Sequence, residues 1–229
     1  MKDTYIKKMT ALYRKGWIHR NVVGKESDAS HSIGLCFLLT SLKQYVDFNY
    51  EKAIKMALIH DVVEVISKDL TPYDEVCPNE KYNKELDAAE KMFSIDELKL
   101  WKEFEARKNI EGSLVKDADR LDMIIQGYVF EQLDGEKYID YMIEWIEVNN
   151  NIKNEFFISW YEELKNIRDG LDVKDTAANK IVRNLIDIYK NYKCNYDNKE
   201  TLADKLYLKS MKKIDTSEFD KILEEDYAV

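Results

Sequence analysis

Two of the three histidines in this chain fall on predicted helices, His31 at the start of one and His60 beside Asp61 in an apolar stretch, and the third, His19, is a loop histidine. A buried imidazole beside a buried carboxylate is costly unless something satisfies both groups. A divalent metal ion does so with ligand types that it prefers. The segments that hold His31 and His60, together with a later segment SLVKDADRLDMI, could therefore place two nitrogens and two oxygens on one ion: His31, His60, Asp61 and Asp119.

An octahedral ion with four such ligands keeps open positions for water and substrate, as a catalytic metal requires. The alternative from spacing alone is a hydrogen-bonded core histidine, which is commoner than a histidine ligand. A second metal would need further histidines, and His19 is the remaining one. The spacing therefore favours a site with a single metal ion over a two-metal site.

The helices that position these residues are predicted from apolar periodicity. The stretch from Ala53 to Asp69 is apolar on nearly every side, which indicates a buried helix ending near Ser67. Ser94 and Glu97 form a capping box that begins another helix. With seven glycines and two prolines, the chain is predicted to be all-α, with further helices over residues 4–12, 30–46, 80–93, 110–133, 137–148, 152–168 and 176–192 and a loop over 14–30.

Composition limits the possible partners and location. The formal charge of -9 and the pI of about 5.1 argue against a basic surface for a nucleic-acid polymer. Three widely spaced cysteines are typical of a reduced, intracellular protein. The chain shows no signal-peptide pattern and no apolar run of membrane-spanning length, so we expect a cytoplasmic protein without a membrane partner.

The last part of the chain, residues 194–229, is highly charged and shows two short helical patterns. We predict a helical bundle over residues 1–193, followed by a charged helical appendage or partly mobile tail over 194–229. The aromatic residues of the C-terminal half repeat at helical spacing and are predicted to be core or subunit contacts: Trp145, Phe156, Phe157, Trp160 and Tyr161.

The order of one histidine, a His-Asp pair and a later aspartate on helices resembles the HD-domain metal-dependent phosphohydrolases. The strings RKGWIHRNV, ESDASH, ALIHDVVEVISKDLTP, LWKEFE and LVKDADRLDM are similar to the YfbR-like 5'-deoxynucleotidases, in particular to the branch called HD-domain-containing protein 2. The resemblance covers about residues 1–127. It implies an HD-domain helical bundle, a homodimer, hydrolysis of deoxyribonucleoside 5'-monophosphates, and one divalent ion of Mn, Co, Zn, Ni, Fe or Mg.

The resemblance also implies roles for single residues. It makes His31, His60, Asp61 and Asp119 the metal ligands, and it places two catalytic acids after the His-Asp pair. Glu64 is the candidate for positioning or deprotonating the attacking water, with a solvated glutamate near a helix end as the alternative. Asp69 is the candidate for binding the sugar 3'-hydroxyl or assisting protonation of the leaving group. The alternative for Asp69 is a loop or capping aspartate.

The substrate residues are predicted from the same motif. Trp17 matches a tryptophan that lies beside the sugar and leaves no room for a 2'-hydroxyl, although it could also be a core anchor. Some members of the family carry a phosphate-binding arginine directly before that tryptophan, where this chain has Gly16. Arg14, Lys15 or Arg20 could replace that arginine, and Arg14 ranks first.

Two other functions compete with the deoxynucleotidase interpretation. The enzyme could act on another nucleotide phosphoester, or the chain could be a metal-stabilised helical scaffold that has lost catalysis. Glu64 and Asp69 argue against the scaffold, since a structural metal would not need them. Among the remaining acids, Asp122 is predicted to be structural, paired with Arg120 or another cation, and Asp117 is predicted to be exposed.

Overall fold

The computed structural model describes residues 1–22, 24–68, 76–171, 175–194 and 200–227. Within these ranges the chain is helical and has no strand, apart from one isolated antiparallel bridge between Tyr13 and Ser27. The all-α class predicted from the sequence is confirmed. None of the described helices combines the length and the apolar character needed to cross a membrane.

The helices follow one another with short connections. Their bounds are α1 Asp3–Met9, α2 Lys15–His19, α3 Asp28–Leu42, α4 Tyr50–Ile59, α5 Glu64–Ser67, α6 Pro78–Met92, α7 Ile95–Glu105, α8 Ile110–Asp134, α9 Asp140–Asn149, α10 Glu155–Arg168, α11 Ala177–Ile188, a π-helical turn Tyr189–Lys193, α12 Leu202–Ser210 and α13 Ser217–Tyr227.

Helix α3 lies at the centre of the fold. Every one of its side chains is buried, and it packs against α4, α8 and α12. Ser27 caps the helix by accepting a hydrogen bond from the amide of Ser30, which satisfies one of the free donors of the first turn. The helix therefore begins before the predicted residue 30, and it places His31 in its first turns, well inside the bundle.

The prediction of one continuous helix up to Ser67 is wrong, because the helix breaks at the His-Asp pair. Helix α4 ends at Ile59, and α5 begins at Glu64. The His60 carbonyl accepts a hydrogen bond from the Trp101 indole at 3.1 Å, while the Glu64 amide donates to the Asp61 carbonyl at 2.9 Å. A side chain thus takes the acceptor that a regular helix would offer to residue 64.

Other predicted elements shift for local reasons. The Ser94–Glu97 capping box is present at the start of α7, as predicted. The predicted loop over residues 14–30 contains the short helix α2. The helix predicted over residues 176–192 ends its α-helical part at Ile188 and finishes with the π-helical turn.

Helices α12 and α13 pack on the bundle through α3 and α11. Tyr207 and Phe219 are fully buried, and the Phe219 ring lies 6.1 Å from the ring of Phe37 on α3. Asp204 accepts a hydrogen bond from the Ser27 hydroxyl at the start of α3. The predicted domain boundary after residue 193 stays a prediction, but the described helices on both sides of it share one core.

Candidate metal centre and substrate cavity

Three helices bring the four predicted ligand side chains together. His31 comes from α3, His60 and Asp61 follow α4, and Asp119 lies in the middle of α8. His31 Nε2 lies 3.2 Å from Asp119 Oδ1 and 3.7 Å from Asp61 Oδ2, and His60 Nε2 lies 3.0 Å from Asp61 Oδ2. The two imidazole centroids are 5.2 Å apart. Residues that are far apart in the sequence therefore meet at one point.

The hydrogen bonds of the two histidines fit a bound divalent ion. His31 Nδ1 lies 2.6 Å from Asp122 Oδ2, and His60 Nδ1 lies 2.8 Å from the Ala57 carbonyl oxygen. Both Nε2 atoms are buried, and they face carboxylate oxygens of Asp61 and Asp119 without meeting the angular requirements of a hydrogen bond to any described residue. In the neutral ring this arrangement puts the proton on Nδ1 and the lone pair on Nε2, as histidine ligands of metals require. The Nε2 atoms and an Asp119 oxygen lie within 4.8 Å of one another.

The electrostatics of the cluster favour ionised carboxylates. Burial raises the pKa of Asp61, but the neighbouring His60, Arg14 and His31 outweigh burial and hold it well below its usual range. Burial likewise opposes ionisation of Asp119, but Arg120 and the two histidines lower its pKa. The pKa of His31 is lowered by burial and by Arg14, yet the nearby carboxylates of Asp122 and Asp119 raise it to about 9. The two carboxylates are thus ionised, the state that a metal ligand requires, and each is paired with an arginine, Arg14 for Asp61 and Arg120 for Asp119.

Asp122 supports His31 from behind. It is fully buried and accepts a hydrogen bond from the Tyr189 hydroxyl at 2.6 Å and another from the Lys193 ammonium. The structural role predicted for Asp122 agrees with this geometry, and its cation is Lys193. Arg120 pairs instead with Asp119, at 2.6 Å from Oδ2.

The prediction that Asp117 is exposed is wrong. The side chain is 1% exposed, and it accepts a hydrogen bond from Arg107 at 2.6 Å. Its second oxygen accepts from the backbone amides of Lys153 and Asn154 at 2.9 and 2.7 Å. Asp117 therefore holds the chain before α10 against α8 and faces away from solvent.

A cavity of about 430 Å³ opens beside the cluster. Its wall includes the predicted residues Arg14, Trp17, Arg20 and Glu64, whereas Lys15 is not among the described side chains that line it. Glu64 is the first residue of α5 and is 4% exposed. The predicted catalytic residue Asp69 lies outside the described residues.

The two arginines hold different positions in this wall. Arg14 lies beside the candidate metal ligands, with Nη1 2.7 Å from Asp61 Oδ2 and 3.8 Å from Asp28 Oδ1. Arg20 donates to the Gly16 carbonyl at 2.9 Å, and its guanidinium carbon lies 6.0 Å from the Tyr141 ring centroid. Arg14 is therefore beside the candidate metal, and Arg20 is beside an exposed aromatic residue.

Trp17 is both buried and part of the cavity wall. Its ring is 3% exposed, meets Phe130 edge-on at 5.4 Å and lies against the backbone at Gly127. Its indole nitrogen donates to Glu26 Oε2 at 2.7 Å. Three neighbours therefore hold the ring in place. Trp17 is a core anchor and also part of the cavity wall, so the two roles predicted for it are compatible.

Sequence reasoning missed several residues at this site. Trp145, predicted as a core or subunit contact, lines the cavity, and the Arg120 guanidinium lies 5.0 Å from its ring centroid. Glu26 and Lys193 were not singled out, although both are buried beside the cluster. Lys193 stands in the polar string YKNYKCNY, which looks like a surface segment, so no sequence signal marked it.

The chain belongs to the HD-domain family. A model of that family, the HD domain, matches residues 6–157, which confirms the resemblance identified from the motifs. Membership of this family implies a divalent metal, in agreement with the clustered His31, His60 and Asp119.

Individual relatives carry similar names. The chain is 35% identical over 130 residues to the 5'-deoxynucleotidase HDDC2 of Danio rerio, a match that covers 54% of this chain and 64% of the relative. It is 33% identical over 139 residues to the HDDC2 protein of Dictyostelium discoideum, covering 55% and 73%. The match thus spans somewhat less than two thirds of the Danio rerio protein.

A solved structure shows the same fold. The crystal structure of the PH0347 protein from Pyrococcus horikoshii OT3 superposes with a TM-score of 0.60 at 29% identity. The superposition covers 79% of this chain and 96% of that chain. The helical bundle described above is therefore shared with that protein.

Proposed function

We propose that this chain is a metal-dependent 5'-deoxynucleotidase, which hydrolyses deoxyribonucleoside 5'-monophosphates to deoxynucleoside and phosphate. One observation carries the proposal: two buried imidazole nitrogens without hydrogen bonds among the described residues converge with two carboxylates at the wall of a cavity of about 430 Å³. The names of the relatives supply the substrate class.

The candidate ligands are His31, His60, Asp61 and Asp119. A divalent ion bound there would lower the pKa of a bound water and withdraw charge from a phosphoryl oxygen. Nitrogen and oxygen ligands suit Mn²⁺, Fe²⁺, Co²⁺, Ni²⁺ and Zn²⁺. Asp122 and the Ala57 carbonyl hold the imidazole rings in the orientation that presents Nε2 to the cavity.

Arg14 is the first candidate for binding the phosphate. Arg14 lines the cavity and lies 2.7 Å from the candidate ligand Asp61, so a phosphate bound at the metal would be within its reach. Its planar group can donate two parallel hydrogen bonds to phosphate oxygens. Arg20 lies farther along the wall and is the second candidate.

Glu64 is the candidate base. It is buried and lines the same cavity as the candidate metal ligands, which supports a role in orienting a water molecule and taking its proton. Asp69 remains the candidate for the sugar 3'-hydroxyl or the leaving group.

Trp17 is the candidate for selecting deoxyribose. Its ring is fixed by Glu26, Phe130 and the close backbone of α8, so it cannot easily move aside for a 2'-hydroxyl. A rigid apolar wall rejects an added hydroxyl mainly by steric contact and by leaving it without a hydrogen-bond partner. The homodimer and the cytoplasmic location stay predictions.

Phosphate release from a panel of 5'-monophosphates, with and without Mn²⁺ or Co²⁺, tests the proposal. We expect metal-dependent release from deoxyribonucleotides and slower release from the matching ribonucleotides. Equal rates on both sugars would remove the role of Trp17. A metal-loaded chain that releases no phosphate from any phosphoester would favour the scaffold interpretation.

A further inference from the structure

A buried lysine lies behind the candidate metal ligands. Lys193 ends the π-helical turn and has no exposed surface. Its ammonium pairs with Asp122 Oδ1, lies 2.9 Å from Glu26 Oε1 and lies 4.0 Å from the centroid of the Tyr189 ring. An ammonium is buried at this depth only when opposite charges satisfy it. The lysine lies beyond residue 157, where the HD-domain match ends.

Helix α3 leaves space for this ion pair at Gly34, which has no side chain. A Cβ atom at Gly34 of α3 would lie 1.7 Å from Asp122 Oδ1 and 2.3 Å from Lys193 Nζ. Any larger residue at position 34 would thus displace the pair. The wide π-helical turn is the second local adaptation, since such turns are rare and often lie at functional sites.

Two chains of hydrogen bonds, called arms below, connect the ammonium to the site. In the first, Asp122 binds the Nδ1 side of His31 at 2.6 Å. In the second, Glu26 binds the indole nitrogen of Trp17 at 2.7 Å. The first arm ends at a candidate metal ligand and the second ends at the candidate sugar contact.

We propose that Lys193 is a positioning residue that orients His31 through Asp122 and Trp17 through Glu26. The Trp17 arm rests on the function proposed above, whereas the His31 arm requires only that the cluster binds a metal. Single oxygens of Glu26 and Asp122 lie within 4.8 Å of each other and of a His31 nitrogen. Without the ammonium these two buried carboxylates would repel each other, so at least one of them would move. That movement alters the hydrogen bond to His31 or the hydrogen bond to Trp17.

The replacement Lys193→Met removes the charge and keeps most of the apolar volume. We expect Mn²⁺ affinity, titrated without substrate, to fall about 10- to 100-fold, the usual effect of losing a group that orients a ligand. We also expect the preference for deoxyribonucleotides over ribonucleotides to decrease. The matched control is Lys190→Met, an exposed lysine of the same turn, which should leave both quantities unchanged. A folded Lys193→Met chain with the wild-type affinity and preference would overturn the proposal.

A second variant decides the question if Lys193→Met does not fold. Glu26→Gln keeps the shape of the side chain but puts an NH2 donor in place of one of the two oxygens that face Lys193 and Trp17, so one of these two contacts is lost in the present geometry. We expect a higher KM and a weaker deoxyribose preference, with Mn²⁺ affinity within about twofold of wild type because the Asp122 arm is intact. Unchanged KM and preference, or a loss of metal affinity as large as the loss of preference, would refute the separation into two arms.

The metal titration keeps this proposal separate from the enzyme activity. A wild-type chain that binds Mn²⁺ but releases no phosphate from any monophosphate would contradict the proposed function. In that case, an Mn²⁺ affinity at least about tenfold weaker in Lys193→Met would still support the role of Lys193 in holding His31. An unchanged affinity would refute that role whatever the activity.

Discussion

The part of the chain matched by the HD domain and the part that follows it contribute differently to the same site. Residues 6–157 supply all four candidate ligands and the described candidate substrate and catalytic residues. The helices after residue 175 supply none of these, yet Tyr189 and Lys193 hold Asp122 behind His31. The comparison teaches that chemistry and support can come from different segments, of which only the first matches the family.

The C-terminal segment also supports the break at the His-Asp pair. Tyr207 of α12 donates its hydroxyl to the Leu58 carbonyl at 3.2 Å, two residues before His60. Asp204 of the same helix binds Ser27, the residue that caps α3. Helix α12 therefore contacts the start of the helix that carries His31 and the end of the helix that precedes His60.

The largest expected effect lies in the matched segment. His60→Ala removes a candidate ligand, so Mn²⁺ affinity should fall more than the roughly 100-fold expected from losing a ligand's partner, and turnover should disappear with it. Calorimetric titration of Mn²⁺ and phosphate release measure the two losses. His19→Ala, an exposed histidine of α2, is the control and should bind Mn²⁺ normally. If the His60→Ala variant bound Mn²⁺ with the affinity of the wild-type protein, the proposed ligand set would be excluded.

Glu64→Ala should separate metal binding from catalysis within the same segment. The candidate base is lost while the ligands remain, so we expect kcat to fall about 10²- to 10⁴-fold with little change in Mn²⁺ affinity. Steady-state kinetics at saturating metal provide the measurement. Glu80→Ala, an exposed glutamate of α6, serves as the control. An unchanged kcat would show that Glu64 is not the base.

Tyr207→Phe tests the support given by the C-terminal segment. It removes the hydroxyl that binds the Leu58 carbonyl and leaves a buried acceptor, so the free energy of unfolding should fall by about 1 kcal/mol. Urea denaturation measures this loss. The exposed Tyr141 gives the matched control, and Tyr141→Phe should change stability little. Equal stability of Tyr207→Phe and wild type would mean that α12 does not stabilise the end of α4.

The smallest expected effect concerns Glu85, which lines the cavity from α6 in the matched segment. Burial raises its pKa from 4.5 to about 7, with Lys81 acting in the opposite direction. The protonated form therefore favours the folded state below pH 4.5, and this contribution is lost as pH rises through about 7.

Glu85→Gln imitates the protonated carboxyl at every pH. Relative to wild type, it should gain stability on the order of 1 kcal/mol or less between about pH 5 and about pH 8. Urea denaturation at the two pH values measures the difference. A stability difference that is independent of pH would contradict the raised pKa.

The sequence predicted the helices from local signals, whereas the set of four candidate ligands was predicted from the resemblance of its motifs to the HD-domain family. Apolar periodicity marked α6 and α8 to within two residues, and the Ser94 cap marked α7. The break at His60 could not be predicted, because it depends on donors from Trp101 and Tyr207, 41 and 149 residues away from their acceptors.

The burial of Asp117 and Lys193 was not predicted for the same reason: their partners lie far away in the sequence. Asp117 looked exposed because its partners are Arg107 and two backbone amides that follow α9. Lys193 looked like a surface lysine until the fold placed Asp122 and Glu26 around it. Side chains satisfied by distant partners leave no local pattern, whereas helix caps and apolar faces do.

Anomalous diffraction from crystals soaked in Mn²⁺ shows whether the four candidate ligands hold one ion. We expect one strong peak at bonding distance from His31 Nε2, His60 Nε2 and carboxylate oxygens of Asp61 and Asp119, with Lys193 remaining between Asp122 and Glu26. A peak elsewhere in the chain, or no peak at these four side chains under saturating Mn²⁺, would contradict this expectation.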